Sequence, residues 1–140
     1  SMYSGGCCDK EDNLFMMCRD AEHPVVMVDA RGNFVKSFGQ GLFKEVHSLC
    51  VTPQDTLLCV DTGLHVVREL TKDGELLRDL GNLGVPSDSG FEKDIWRRMQ
   101  RKGKIVPTDV LFDKGWSFWM GVETIKRAAP PFNRPTGVCV

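Results

Sequence analysis

The sequence predicts an all-β chain assembled from repeated four-stranded antiparallel units, and two internal recurrences carry that expectation. The segment Phe43-Lys44-Glu45-Val46-His47-Ser48-Leu49-Cys50-Val51 returns as Phe132-Asn133-Arg134-Pro135-Thr136-Gly137-Val138-Cys139-Val140. The turn Asp29-Ala30-Arg31-Gly32-Asn33-Phe34 returns as Lys72-Asp73-Gly74-Glu75-Leu76, with the glycines 42 residues apart (74 − 32). A period of that length holding four short strands is that of a β-propeller blade, so the expected fold is a partial propeller of about two blades.

In chain order, residues 1–12 are Gly-rich, contain the adjacent Cys7-Cys8 pair, and read as a flexible leader. From Asn13 the chain alternates β-rich runs with turn clusters. The runs are Leu14 to Arg19, Val25 to Asp29, Phe34 to Phe38, Ser48 to Val51, Leu57 to Val60, Val66 to Leu70 and Leu76 to Leu80. Each has strand length, and the intervening Ala30-Arg31-Gly32-Asn33, Thr52-Pro53-Gln54-Asp55 and Lys72-Asp73-Gly74 supply the residues that reverse an antiparallel meander. Residues 13–81 are thus the blades. Residues 46–81 make one complete blade, whereas 13–39 supply three strands. The missing first strand should resemble His47 to Val51, as Thr136 to Val140 does. The last strand is therefore expected to complete the first blade, in its own chain or in a neighbour. Open edges and blade faces invite association, so a homo-oligomer through blade edges is expected.

Residues 82–131 depart from the repeat and read as an insertion. Ser89-Gly90-Phe91-Glu92 has the form of a capping box, and Phe91, Ile95 and Met99 share one helical face before Gly103; together they predict a helix near 90–102. Its basic residues Arg97, Arg98, Arg101 and Lys102 read as a solvated face favoured by the helix dipole. A hairpin is expected near 107–120, and residues 132–140 open a further repeat.

Composition narrows the function. A formal net charge of −1 offers no global field for nucleic acid or a membrane surface, so neither is an expected partner. No apolar run approaches the ~20 residues needed to span a bilayer, and Ser1-Met2-Tyr3 lacks the basic-then-apolar pattern of a signal peptide. The six cysteines include no C-x-x-C pair and read as free thiols. There is no G-x-S-x-G elbow and no phosphate-cradling loop.

Several residues together resemble the NHL-repeat propellers, and within them the branch similar to peptidyl-α-hydroxyglycine α-amidating lyase. They are Arg19, His23-Pro24-Val25-Val26, Asp29, Gly32-Asn33-Phe34, Gly41-Leu42-Phe43, His47-Ser48-Leu49, Asp61 with His65, Asp73-Gly74-Glu75-Leu76-Leu77, and Pro130-Pro131-Phe132-Asn133-Arg134-Pro135-Thr136-Gly137-Val138. The resemblance covers residues 13–86 and 124–140. It implies a zinc ligand at His47, a catalytic arginine at Arg19, and a calcium ligand in the backbone carbonyl of Leu49. Neutral imidazole suits Zn²⁺, and a guanidinium suits developing anionic charge. The family's other two zinc histidines, its catalytic tyrosine and its calcium carboxylate have no counterparts in residues 1–140.

His65 follows Asp61-Thr62-Gly63-Leu64 in a loop, where it either ties the turn or, with Trp116 and Trp119, lines a ligand cleft; the tryptophans also read as interface anchors. Two readings stay open. One is a non-catalytic propeller fragment that binds a peptide or protein ligand and assembles into an oligomer. The other is a zinc-dependent lyase whose site is completed by oligomerisation, with copies of His47 gathered around one axis.

Overall fold

The structure, a computed structural model, describes residues 2–92, 95, 102, 103 and 121–140. Two compact units divide the chain: Ser1–Pro86 with Pro131–Val140, and Ser87–Pro130. The first unit is all-β. Its strands are β1 (Tyr3–Cys8), β2 (Leu14–Cys18), β3 (Val25–Val28), β4 (Phe34–Phe38), β5 (Val46–Val51), β6 (Leu57–Asp61), β7 (Val66–Leu70) and β8 (Leu76–Leu80). They form two four-stranded antiparallel meanders, β1-β2-β3-β4 and β5-β6-β7-β8, in the manner of two propeller blades.

One turn design explains four of the hairpins. Asp9 Oδ1 accepts from the backbone N–H groups of Glu11 and Asn13, and Asn13 Nδ2 donates to Asp9 Oδ2. Asp29 repeats every one of these bonds with Arg31 and Asn33. In the second sheet Thr52 and Thr71 replace the aspartates, their hydroxyls accepting from the N–H groups of Thr56 and Glu75. The fourth turn residue is left-handed in all four, at Asp12, Gly32, Asp55 and Gly74, with φ of 60°, 84°, 65° and 95°. Side-chain oxygens that mimic a backbone turn thereby set the strand register on either side.

The core lies between the sheets. Phe15, Met17 and Val25 of the first pack with Val46, Leu49, Leu57, Cys59 and Leu70 of the second. β1 and β5 run side by side: a Cβ added at Gly5 would sit 3.1 Å from Ser48 Cα and 3.2 Å from His47 O. Glycine at position 5 is what permits this approach. The far face of the second sheet, formed by Leu58, Val60 and Val67, is covered by Phe132 and Val138.

Two expectations are corrected here. Residues 1–12 are not a flexible leader, because Tyr3–Cys8 pairs with β2 from Tyr3↔Cys18 to Cys8↔Leu14. That strand supplies the inner edge of the first sheet, so the C-terminal segment does not complete it. Residues 132–140 carry no strand and lie against the second sheet, where Ser48 Oγ donates to Thr136 O at 3.0 Å and Thr62 Oγ1 to Pro135 O at 2.7 Å.

In the second unit, Glu92 N donates to Thr124 Oγ1 at 2.7 Å, and Lys126 N bonds Ser89 O at 2.8 Å. Arg127 forms an ion pair with Asp88. Among the described residues, helix is confined to Ile95, Gly121 and Val122. Most of the helix expected near 90–102, the hairpin expected near 107–120, and Trp116 and Trp119 lie outside the described residues.

Candidate functional site

The loops at one end of the sheets are organised by a buried carboxylate. Asp61, fully buried at the end of β6, accepts from Lys44 N at 2.6 Å, Glu45 N at 3.1 Å, Gly63 N at 2.9 Å and Leu64 N at 2.8 Å. Four backbone donors replace its lost hydration, and together they pin the β4–β5 connection to the β6–β7 loop. Glu45, fixed in this way, takes a bidentate contact from Arg134 Nη2 at 3.1 and 3.2 Å. Arg134 N in turn donates to His65 Nδ1 at 3.0 Å.

Against this frame a cavity of about 180 Å³ opens between the sheets. Cys18, Pro24, Phe43 and Val46 give it apolar lining, while Arg19, Asp20, Lys44 and Glu45 bring charges of both signs. Arg19 follows β2 and is held by its backbone, with N bonded to Met2 O at 2.9 Å, leaving its side chain exposed.

Compared with protein-family models and with curated proteins, the chain matches none.

The sequence-predicted site residues do not converge as a set. Arg19 lies at the cavity, and His65 connects to its wall through Arg134 and Glu45. His65 is held in the left-handed region at φ 60°, and burial, followed by the charges of Arg134 and Lys44, pushes its pKa down. His47 is half-buried on β5, at the irregularity between Val46 and Ser48. The Leu49 side chain belongs to the core.

Among the described residues, the side chains gathered closely enough to offer three metal-ligand atoms are Asp9, Glu11 and Asp55; none of the three histidines joins them. Among the described residues, His47 is not gathered with two further His, Cys, Asp or Glu side chains in the way those three are. The acidic trio already has a cation: Lys72 Nζ lies 2.7 Å from Asp9 Oδ2, 2.5 Å from Asp55 Oδ1 and 3.5 Å from Glu11 Oε2. These partners outweigh burial and raise the lysine pKa.

Sequence reasoning missed the Asp61 cage, the Glu45–Arg134 pair and the Lys72 cluster. The first has a local signal, an aspartate closing an apolar strand before Thr-Gly. The other two join residues far apart in sequence and have none. No helix among the described residues is long and apolar enough to cross a membrane.

Proposed function

We propose that the chain is a non-catalytic binding module of the NHL-repeat propeller type, which holds a peptide or protein segment in the groove between its two sheets and assembles through its free strand edges. The groove is the observation that carries this reading. Its volume of about 180 Å³ falls below the roughly 300–1,000 Å³ of sites that enclose a small-molecule ligand, so it suits one anchoring side chain of a larger partner. Arg19 and Lys44 on its rim can pair with a partner's carboxylates, and Asp20 with its cations. Binding of this kind needs none of the ligands that the lyase reading requires.

For assembly, the support is in the edges. Among the described residues, β4 and β8 end their sheets without a further strand, and Phe34, Val35, Leu76 and Leu77 on them are exposed. Unpaired edges carrying apolar side chains are association surfaces.

Selection of phage-displayed random peptides on the wild type and on an Arg19→Glu, Lys44→Glu variant tests the binding half. Both side chains are exposed, so the variant should fold. A motif enriched on the wild type and lost on the variant is expected; equal enrichment on both proteins, or none, sinks the reading. Light scattering tests the assembly half, which a monomer at every concentration would remove.

A further inference from the structure

Three segments share one pattern: Gly5-Gly6-Cys7-Cys8, Ser48-Leu49-Cys50-Val51 and Gly137-Val138-Cys139-Val140. The first two are strands β1 and β5, which run parallel and in step, since Ser4 Oγ meets Val46 O at 3.5 Å and a Cβ at Gly5 would approach Ser48 Cβ to 3.2 Å. Two residues further along, on the same strand faces, stand Cys7 and Cys50. Their thiols adopt the same posture, Cys7 Sγ donating to Cys8 O at 3.6 Å and Cys50 Sγ to Val51 O at 3.5 Å. Both are free and half-buried.

We propose that Cys7 and Cys50 form a dithiol that a small-molecule disulfide oxidises to a covalent link between the two sheets. A disulfide needs Cβ atoms about 3.5–4.5 Å apart, and at the preceding pair, Gly5 and Ser48, the strands lie closer still, where an added Cβ would come 3.2 Å from Ser48 Cβ. The two side chains also interact directly, and burial pushes the Cys50 thiol up, which disfavours Cys50 as the opening nucleophile.

With oxidised glutathione as the reagent, the Cys7 thiolate attacks one glutathione sulfur, the S–S bond breaks, and one glutathione thiolate leaves. Cys50, its proton released to solvent, then attacks the Cys7 sulfur of the mixed disulfide and expels the second glutathione thiolate. Two protein thiols are oxidised to one disulfide, one glutathione disulfide is reduced to two thiols, and the two protons end on those thiols. The proposal stands independently of the ligand-binding reading.

The test is incubation of the purified protein with excess oxidised glutathione, followed by intact mass and a non-reducing peptide map. The map is run on the wild type and on Cys8→Ser, Cys59→Ala, Cys7→Ser and Cys50→Ser variants. Loss of two hydrogens, with a Cys7–Cys50 link that persists in Cys8→Ser and Cys59→Ala, is expected. Cys50→Ser should stop at the mixed disulfide on Cys7. A link that survives Cys7→Ser, a link from Cys50 to Cys139 instead, or Cys7 and Cys50 remaining free while exposed Cys8 takes up glutathione would each overturn the proposal.

Discussion

Lys72, in the turn after β7, reaches into the β1–β2 turn, where its ammonium lies 2.7 Å from Asp9 Oδ2, so this ion pair helps to join the two sheets at the end opposite Asp61. The Asp9 side chain is fully shielded from solvent and that of Lys72 largely so, which places this pair among those whose loss is costly. Replacing Lys72 by Met leaves Asp9, Glu11 and Asp55 facing one another without a cation. Urea unfolding should show a loss of about 2–3 kcal/mol. Adding Asp9→Asn should recover part of it, because the stranded buried charge is then gone.

The same pair predicts how the protein responds to acid. Burial pushes the Asp9 carboxyl up, but its hydrogen bonds from Lys72 and Asn13 outweigh this and hold it at about 2, against an ordinary 3.8. The folded carboxyl gives up its proton more readily than the unfolded one. Its contribution is therefore complete above pH 3.8 and is lost as pH falls from 3.8 toward 2. Allowing for solvent screening around the lysine, the loss should be of order 1 kcal/mol. Denaturant midpoints across that window should fall in the wild type and flatten in Lys72→Met.

Asp61 makes a different demand. All four of its bonds come from backbone N–H donors, so an amide cannot stand in for the carboxylate. Asp61→Asn turns an NH₂ group toward one or more of those donors and should cost about 2–3 kcal/mol. Hydrogen exchange should show faster exchange at the amides of Lys44, Glu45, Gly63 and Leu64, while the Asp9–Asn13 turn stays protected.

How much of this was legible in the sequence depended on whether the cause was local. Strands β2 to β8 are close to the runs expected, because apolar residues and turn clusters mark them. β1 was missed: Tyr3-Ser4-Gly5-Gly6-Cys7-Cys8 has little alternation, and it becomes a strand by pairing with β2 while packing closely on β5. Its turn carried a signal, since Asp9-x-x-x-Asn13 matches Asp29-x-x-x-Asn33, but Asp12 occupies the left-handed place of Gly32 and hides the glycine. Arg19 was readable as a strand-end arginine. The partners that build a site near it, Glu45 with Arg134, stand too far apart in sequence to be paired by reading it.

Gly5 and Gly137 occupy matching places in the repeated pattern, yet only the first is confined. A Val at Gly5 would press on the Ser48 backbone and should cost about 1–3 kcal/mol. A Cβ added at Gly137 meets nothing within 4 Å, so a Val there should change stability by less than about 0.5 kcal/mol. Thermal unfolding of both variants checks the packing of β1 on β5 directly.

His65 couples backbone strain to protonation. Its φ of 60° disfavours most side chains, and its Nδ1 must stay unprotonated to accept from Arg134 N. Burial, then the Arg134 charge, lowers its pKa from 6.5, so the folded state resists the proton that the unfolded chain accepts. Its contribution is complete above pH 6.5 and is lost as pH falls from there toward the lowered folded value. Asn tolerates the left-handed region and offers an uncharged acceptor, so His65→Asn should stay within about 1 kcal/mol of the wild type at pH 8 while losing the pH dependence below 6.5. Val provides neither property and should cost about 2–3 kcal/mol at every pH. If His65→Asn keeps the wild-type pH dependence, the acid sensitivity in that window belongs to another group, and the Arg134–His65 bond is not its source.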